Sequence, residues 1–267
     1  MKRLHQVSST VYDDSFFEKV YGKDNNTINL EGHYSKEYYN EIVNLIKVPS
    51  MRKVVDYGCG NGTLSFMLSS KYNCRVIGFD YSDSAIKICK RRLKTAEEPL
   101  KSRVEFFTAN NDNLPALRDV FAVYFCDVIE HMYNHEITLA INTIKTWSKK
   151  KTRIVIHTDN DVYLNLVRPW INLSYWITGK KTLNQLKVDK KEEDRVHINL
   201  TNPVKLTKLM TKLGVRHIKT SYPSITNSKI SKQLGPLGRS KTLVSFVKVT
   251  LNLFTFLSPS FFAIYEV

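Results

Sequence analysis

A chain of 267 residues with 42% hydrophobic composition can bury one large core, and no repeat, linker or low-complexity tract divides it, so a single domain over 1–267 is expected. Its four cysteines (Cys59, Cys74, Cys89, Cys126) include no C-x-x-C pair, which argues against a zinc site and a disulfide framework and fits a reducing cytoplasm. The formal charge of +15 is lopsided: residues 1–150 hold 21 Lys/Arg and 18 Asp/Glu, whereas 151–267 hold 19 and 7.

Met1-Lys2-Arg3-Leu4 lacks the apolar core of a signal peptide, so a cytoplasmic location is expected. The first 30 residues are polar, contain Asp24-Asn25-Asn26 and read as flexible or lid-like. Gly32 to Ile42 reads as a helix ahead of the first strand, which makes 1–48 an N-terminal cap segment. Val54-Val55 is an apolar run ending in Asp56, then Gly58, Gly60 and Gly62 alternate with Cys59 and Asn61 before a helical pattern from Thr63. A strand, a tight glycine turn and a helix N-terminus together suit a polar ligand, because a side chain at those glycines would block backbone approach or a positive φ. Cys74 to Asp80 is a second apolar strand ending in a carboxylate, and Ser82 reads as the N-cap of a helix over Asp83 to Leu93.

Val104 to Phe107 reads as a third strand and Phe121 to Cys126 as a fourth, with Asp127-Val128-Ile129-Glu130-His131 after it. Arg153 to Asn160 is a fifth strand with a polar end. An insertion follows at 161–195, and a helix runs from Pro203 to Leu213 with Gly214 as its C-cap. Val215 to Ser221 is a sixth strand, 224–259 a basic and apolar second insertion, and Phe261 to Tyr265 a seventh strand. Strands alternating with helices at this pitch argue for an α/β, doubly wound, seven-stranded Rossmann-like sheet with a helical insertion after the fifth strand.

The glycine spacing excludes two common nucleotide sites. A dinucleotide motif needs a third glycine where Thr63 stands, and a P-loop needs a lysine after Gly62. The remaining D-x-G-x-G-x-G pattern, with Asp80 closing the second strand and Asp127-Val128-Ile129-Glu130-His131 after the fourth, resembles class I S-adenosylmethionine-dependent methyltransferases over about His33 to Val215. The overall plan is similar to the quinone-pathway O-methyltransferases. The resemblance implies S-adenosyl-L-methionine as cofactor, held by Asp56, Gly58, Cys59, Gly60, Asn61, Gly62, Asp80, Tyr81, Asn110, Asn111 and Asp127. Asp80 would accept from both ribose hydroxyls, a task for which a carboxylate has the lone pairs. Asn110 stands where the family has an aspartate against the adenine amino group, and its amide oxygen can still accept. Ala122 replaces a common aspartate whose role is structural.

The resemblance implies an N-terminal segment covering the cofactor and a seventh strand antiparallel beside the fifth. Tyr34 is then a candidate for cofactor or substrate contact, or packs against the sheet edge; His157 is a candidate pocket residue at the end of the fifth strand. A hydroxyl acceptor calls for a general base, and His197 and His131 are the candidates, each also readable as a hydrogen-bonded structural histidine. No carboxylate cluster with ligand spacing accompanies them, so no metal is expected.

Val196 to Tyr265 contains ten basic residues and no acidic one, which would attract an anionic membrane or nucleic acid. The insertion supplies Trp170 and Trp176 with flanking Lys180 and Lys181, and Thr242 to Leu257 carries one charge, too short to span a bilayer. These stretches would meet a membrane surface, or cap the substrate pocket, or form a homodimer interface. Three functions follow: a methyltransferase for a small-molecule or lipid-like acceptor at a membrane surface, an RNA methyltransferase, or a non-catalytic cofactor-binding scaffold. The absence of an Asn/Asp-Pro-Pro-Tyr/Phe motif and of paired catalytic cysteines ranks nucleic acid second.

Overall fold

The computed structural model describes residues 11–21, 36–109, 113–148, 151–224, 230–231 and 234–267. Strands β1 (Lys53–Tyr57), β2 (Arg75–Asp80), β3 (Val104–Thr108), β4 (Val120–Cys126), β5 (Arg153–Asp159), β6 (Arg216–Ser221) and β7 (Ser260–Glu266) form one sheet in the order β3-β2-β1-β4-β5-β7-β6. β1 runs parallel to β2 and β4, with Val55 opposite both Ile77 and Val123. β7 alone reverses, antiparallel to β5 and to β6, as the family resemblance implies for the strand beside the fifth.

Both faces of the sheet are covered, which is why β1, β4 and β5 read as continuous apolar runs. Helices α1 (Asp14–Tyr21), α2 (Lys36–Val43), α3 (Thr63–Tyr72), α4 (Asp83–Thr95) and α5 (Glu98–Lys101) precede β3 in the chain. Tyr39 and Ile42 of α2, Leu64 and Leu68 of α3 and Ile86 of α4 pack with Val54, Val76 and Tyr124. On the other face, α6 (Asn134–Trp147) buries Ile137, Ile141, Ile144 and Trp147 against Val55, Val123 and Phe125. Ser82 caps α4 as expected, its Oγ accepting from Ala85 N at 3.3 Å.

The 161–195 insertion folds as α7 (Asp161–Leu166), α8 (Arg168–Ile177) and α9 (Leu183–Val196); α10 (Pro203–Lys212) follows. Gly214, at φ 69°, ends α10: Val215 N donates to Met210 O at 3.0 Å and Gly214 N to Thr211 O at 2.9 Å, a Schellman closure. In the second insertion, α11 (Lys241–Leu253) precedes β7. The N-terminal stretch expected to be flexible or lid-like is described over 11–21. Tyr12 and Phe17 are buried against Ala85 and Ile88 of α4, because three aromatics (Tyr12, Phe16, Phe17) in an otherwise polar stretch give it an anchor. Tyr34, Asn110, Asn111 and Asp24 to Asn26 lie outside the described residues.

Candidate active site

A cleft opens at the carboxyl ends of β1, β2 and β4, enclosing about 1140 Å³ with its open mouth included. Its floor is the glycine turn. Gly58 has φ 74°, and a Cβ there would stand 2.5 Å from Val128 Cγ2, so both the conformation and the space demand glycine. Gly60 N donates to Asp80 Oδ2 at 2.9 Å and Ser82 N donates to Asp80 Oδ1 at 2.9 Å. Two backbone donors orient the Asp80 carboxylate and leave a lone pair on each oxygen for further hydroxyl donors. Burial pushes its pKa up to about 6.

Asp56 also lines the cleft and is buried; it accepts from Ser65 Oγ at 2.6 Å, and burial lifts its pKa to about 7. Gly58, Cys59, Gly60 and Tyr81 share the lining. Asn61 and Gly62 do not. Asn61 turns its Oδ1 onto Thr63 N and Oγ1 at 3.1 and 2.8 Å, and Arg92 bonds its carbonyl, so its polar groups serve the entry to α3. Gly62 has φ 79° and faces Phe106 and Cys89.

Farther along the cleft stand Asp127, His131 and Tyr38. Asp127 holds a left-handed φ of 56°, uncommon outside glycine though tolerated by Asp. Its Oδ2 accepts from Tyr38 Oη at 2.5 Å and its Oδ1 lies 2.6 Å from His157 Nδ1. His157 is buried and its Nε2 meets Ser260 Oγ at 2.9 Å, so both ring nitrogens are engaged. It therefore stands behind Asp127 instead of in the cleft lining, which corrects the pocket-lining expectation for it. Tyr38, not singled out in the sequence as Tyr34 was, lines the cleft together with Tyr12, Tyr39, Tyr57 and Tyr81.

His131 Nδ1 lies 2.9 Å from the Val196 carbonyl oxygen. A carbonyl only accepts, so Nδ1 carries the proton and Nε2 keeps a free lone pair. Burial depresses the His131 pKa, which keeps the ring neutral near pH 7. His197 packs its ring 4.9 Å from that of His131 and is absent from the lining. Burial depresses its pKa too, and its Nδ1 lies 3.6 Å from Asp159 and 3.7 Å from Glu193. Fold proximity brings Asp159 to Glu193 and His197, which stand four residues apart at the end of α9. Arg168 already ion-pairs with Glu193.

Residues 54–151 match the family described as methyltransferase domain. The Caenorhabditis elegans rRNA N(6)-adenosine-methyltransferase metl-5 is 40% identical over 60 residues, which are 22% of this chain and 27% of that protein. The match therefore spans about a quarter of that relative's length. Among solved structures, the cyclopropane synthase MmaA2 from Mycobacterium tuberculosis superposes with a TM-score of 0.63 at 11% identity, covering 98% of this chain and 96% of that one. Haemonchus contortus phosphoethanolamine N-methyltransferase 2 in complex with S-adenosyl-L-methionine gives 0.61 at 14% identity, over 97% of this chain and 57% of that one. At such identities the likeness is one of fold.

Proposed function

We propose, for a chain that belongs to the class I S-adenosylmethionine-dependent methyltransferases, that it methylates an oxygen of a small-molecule or lipid-like acceptor at a membrane surface. The chain's residues fit that cofactor: Asp80, held by the amides of Gly60 and Ser82, keeps lone pairs for two ribose hydroxyls. When bound, S-adenosylmethionine supplies a methyl group already activated by a sulfonium. The protein's share is then to align the acceptor, exclude water and take up a proton.

The observation that carries oxygen as the acceptor atom is His131. It lines the same cleft as Asp80, is held in one tautomer by the Val196 carbonyl, and offers a neutral Nε2. A hydroxyl acceptor set beside that nitrogen would give up its proton to it as the oxygen takes the methyl group the cofactor would supply. Asp127, set by Tyr38 and His157, would orient the acceptor beside it. His197, ring to ring with His131, acts through it and not on the acceptor.

The test supplies the full chain with methyl-labelled cofactor, offering a dispersed lipid extract and total RNA in parallel. Label should enter the organic phase as methyl ethers and be lost with His131→Ala. Label confined to RNA would overturn this reading in favour of the second one, an RNA methyltransferase, which the 60-residue match to metl-5 supports. Against that second reading, the residues after β4 are Asp127-Val128-Ile129-Glu130, not an Asn/Asp-Pro-Pro-Tyr/Phe motif.

A further inference from the structure

Both insertions leave the sheet at the edge where the cleft opens. β5 ends at Asp159, which pairs with Ser260 at the start of the reversed β7, and β6 ends at the same edge with Ser221 opposite Phe262. Asn160 ties the two insertions together, its Nδ2 donating to the carbonyls of Phe256 and Ser258 at 2.8 Å each. α8 also packs against the turn at 235–239 that leads into α11.

Each insertion turns an apolar face to solvent. α8 buries no residue; Trp170 is 72% exposed and Ile177 70%, with Leu173 and Trp176 also exposed. α11 buries Val244 and Leu251, seven residues apart, while Phe246, Val249 and Leu253 recur at helical spacing on its outer side, 67%, 57% and 73% exposed. Exposed aromatic and aliphatic side chains gathered in this way mark an interaction surface. No helix among the described residues is long and apolar enough to cross a membrane, so these helices would lie along an interface.

Charge selects the occupant. The stretch 196–265 carries ten Lys/Arg and no Asp/Glu, and Arg239, Lys241 and Lys248 stand on or beside α11. A second copy would bring the same positive charge and be repelled, and nucleic acid offers no apolar phase to Trp170 or Phe246. Only an anionic bilayer supplies both complements.

We propose that α8 and α11 together form a docking face for an anionic lipid surface, with Trp170, Trp176, Phe246 and Leu253 entering the headgroup boundary. This deepens the membrane element of the proposed function and places the lipid at the edge of the sheet where the acceptor would enter.

The test floats the full chain with phosphatidylcholine vesicles, with and without phosphatidylglycerol, in low and high salt, and titrates S-adenosylhomocysteine into the same preparations. The chain should float with the phosphatidylglycerol vesicles and remain partly bound in high salt. The pairs Trp170→Ser/Trp176→Ser and Phe246→Ser/Leu253→Ser should each reduce partitioning about tenfold or more, with S-adenosylhomocysteine affinity unchanged. Absence of flotation, or flotation indifferent to both pairs, would overturn the proposal, as would an RNA complex or dimer formed without flotation. A chain that floats yet ignores S-adenosylhomocysteine would leave the docking face standing and defeat the methyl-transfer reading.

Discussion

Asp80 accepts two backbone hydrogen bonds, and its role depends on its charge. A ribose hydroxyl donates better to a carboxylate than to a carboxylic acid, and burial has raised the Asp80 pKa to about 6. The free protein therefore takes up a proton there as pH falls, and S-adenosylhomocysteine affinity should drop below about pH 6. Asp80→Ala should remove about 1.5–3 kcal/mol of binding and flatten that pH dependence, both measurable by calorimetry. His131 makes the opposite kind of prediction. As the proposed base it would act in its neutral form, and burial lowers its pKa, so the acid limb of kcat/KM should fall below the ordinary histidine value of about 6.5. His131→Ala should cut turnover roughly 10²–10⁴-fold with cofactor affinity preserved; an unchanged rate at saturating acceptor would return His131 to a structural role. The glycines were legible in the sequence because one short motif holds them, and Asp80 because it closes the apolar strand that follows. Tyr38 and Asp127 were not legible as partners, being 89 residues apart and joined only by the packing of α2 across the sheet.

At the scale of single elements, local chemistry predicts local structure well. Ser82 starts α4 and Gly214 closes α10 because an N-cap hydroxyl and a left-handed glycine satisfy end groups that the helix itself cannot. Asn61 shows where that reading stops. Its place inside the glycine motif implies cofactor contact, whereas its side-chain oxygen is engaged with Thr63 at the start of α3, and Arg92 from α4 donates to Thr63 Oγ1 beside it. Two glycines with similar φ give a clean comparison. Gly58→Ala combines a left-handed φ of 74° with a 2.5 Å approach to Val128 Cγ2 and should cost about 2–4 kcal/mol in urea denaturation along with cofactor binding. Gly179→Ala has φ 68° but open space around it, so it should cost only about 1–2 kcal/mol and leave cofactor binding intact. Equal losses would mean that backbone strain alone, and not the cradle against Val128, makes Gly58 necessary.

For the whole molecule, apolar runs buried on both faces announced the parallel strands and the terminal run a seventh strand, while the reversal of β7 was implied only by the family resemblance. The approach of Asp159 to the Glu193–His197 pair, and of α8 to the turn that leads into α11, depends on long connections returning to one sheet edge, which periodicity does not encode. The glycine turn and Asp80, at the carboxyl ends of β1 and β2, are proposed to hold a sulfonium nucleoside and not a dinucleotide. Calorimetric titration of the full chain with S-adenosylhomocysteine and, separately, with NAD tests this most directly. The account predicts S-adenosylhomocysteine binding in the micromolar range, about −8 kcal/mol, abolished or sharply weakened by Asp80→Ala, and no comparable heat from NAD. Tight NAD binding with no response to S-adenosylhomocysteine would contradict it.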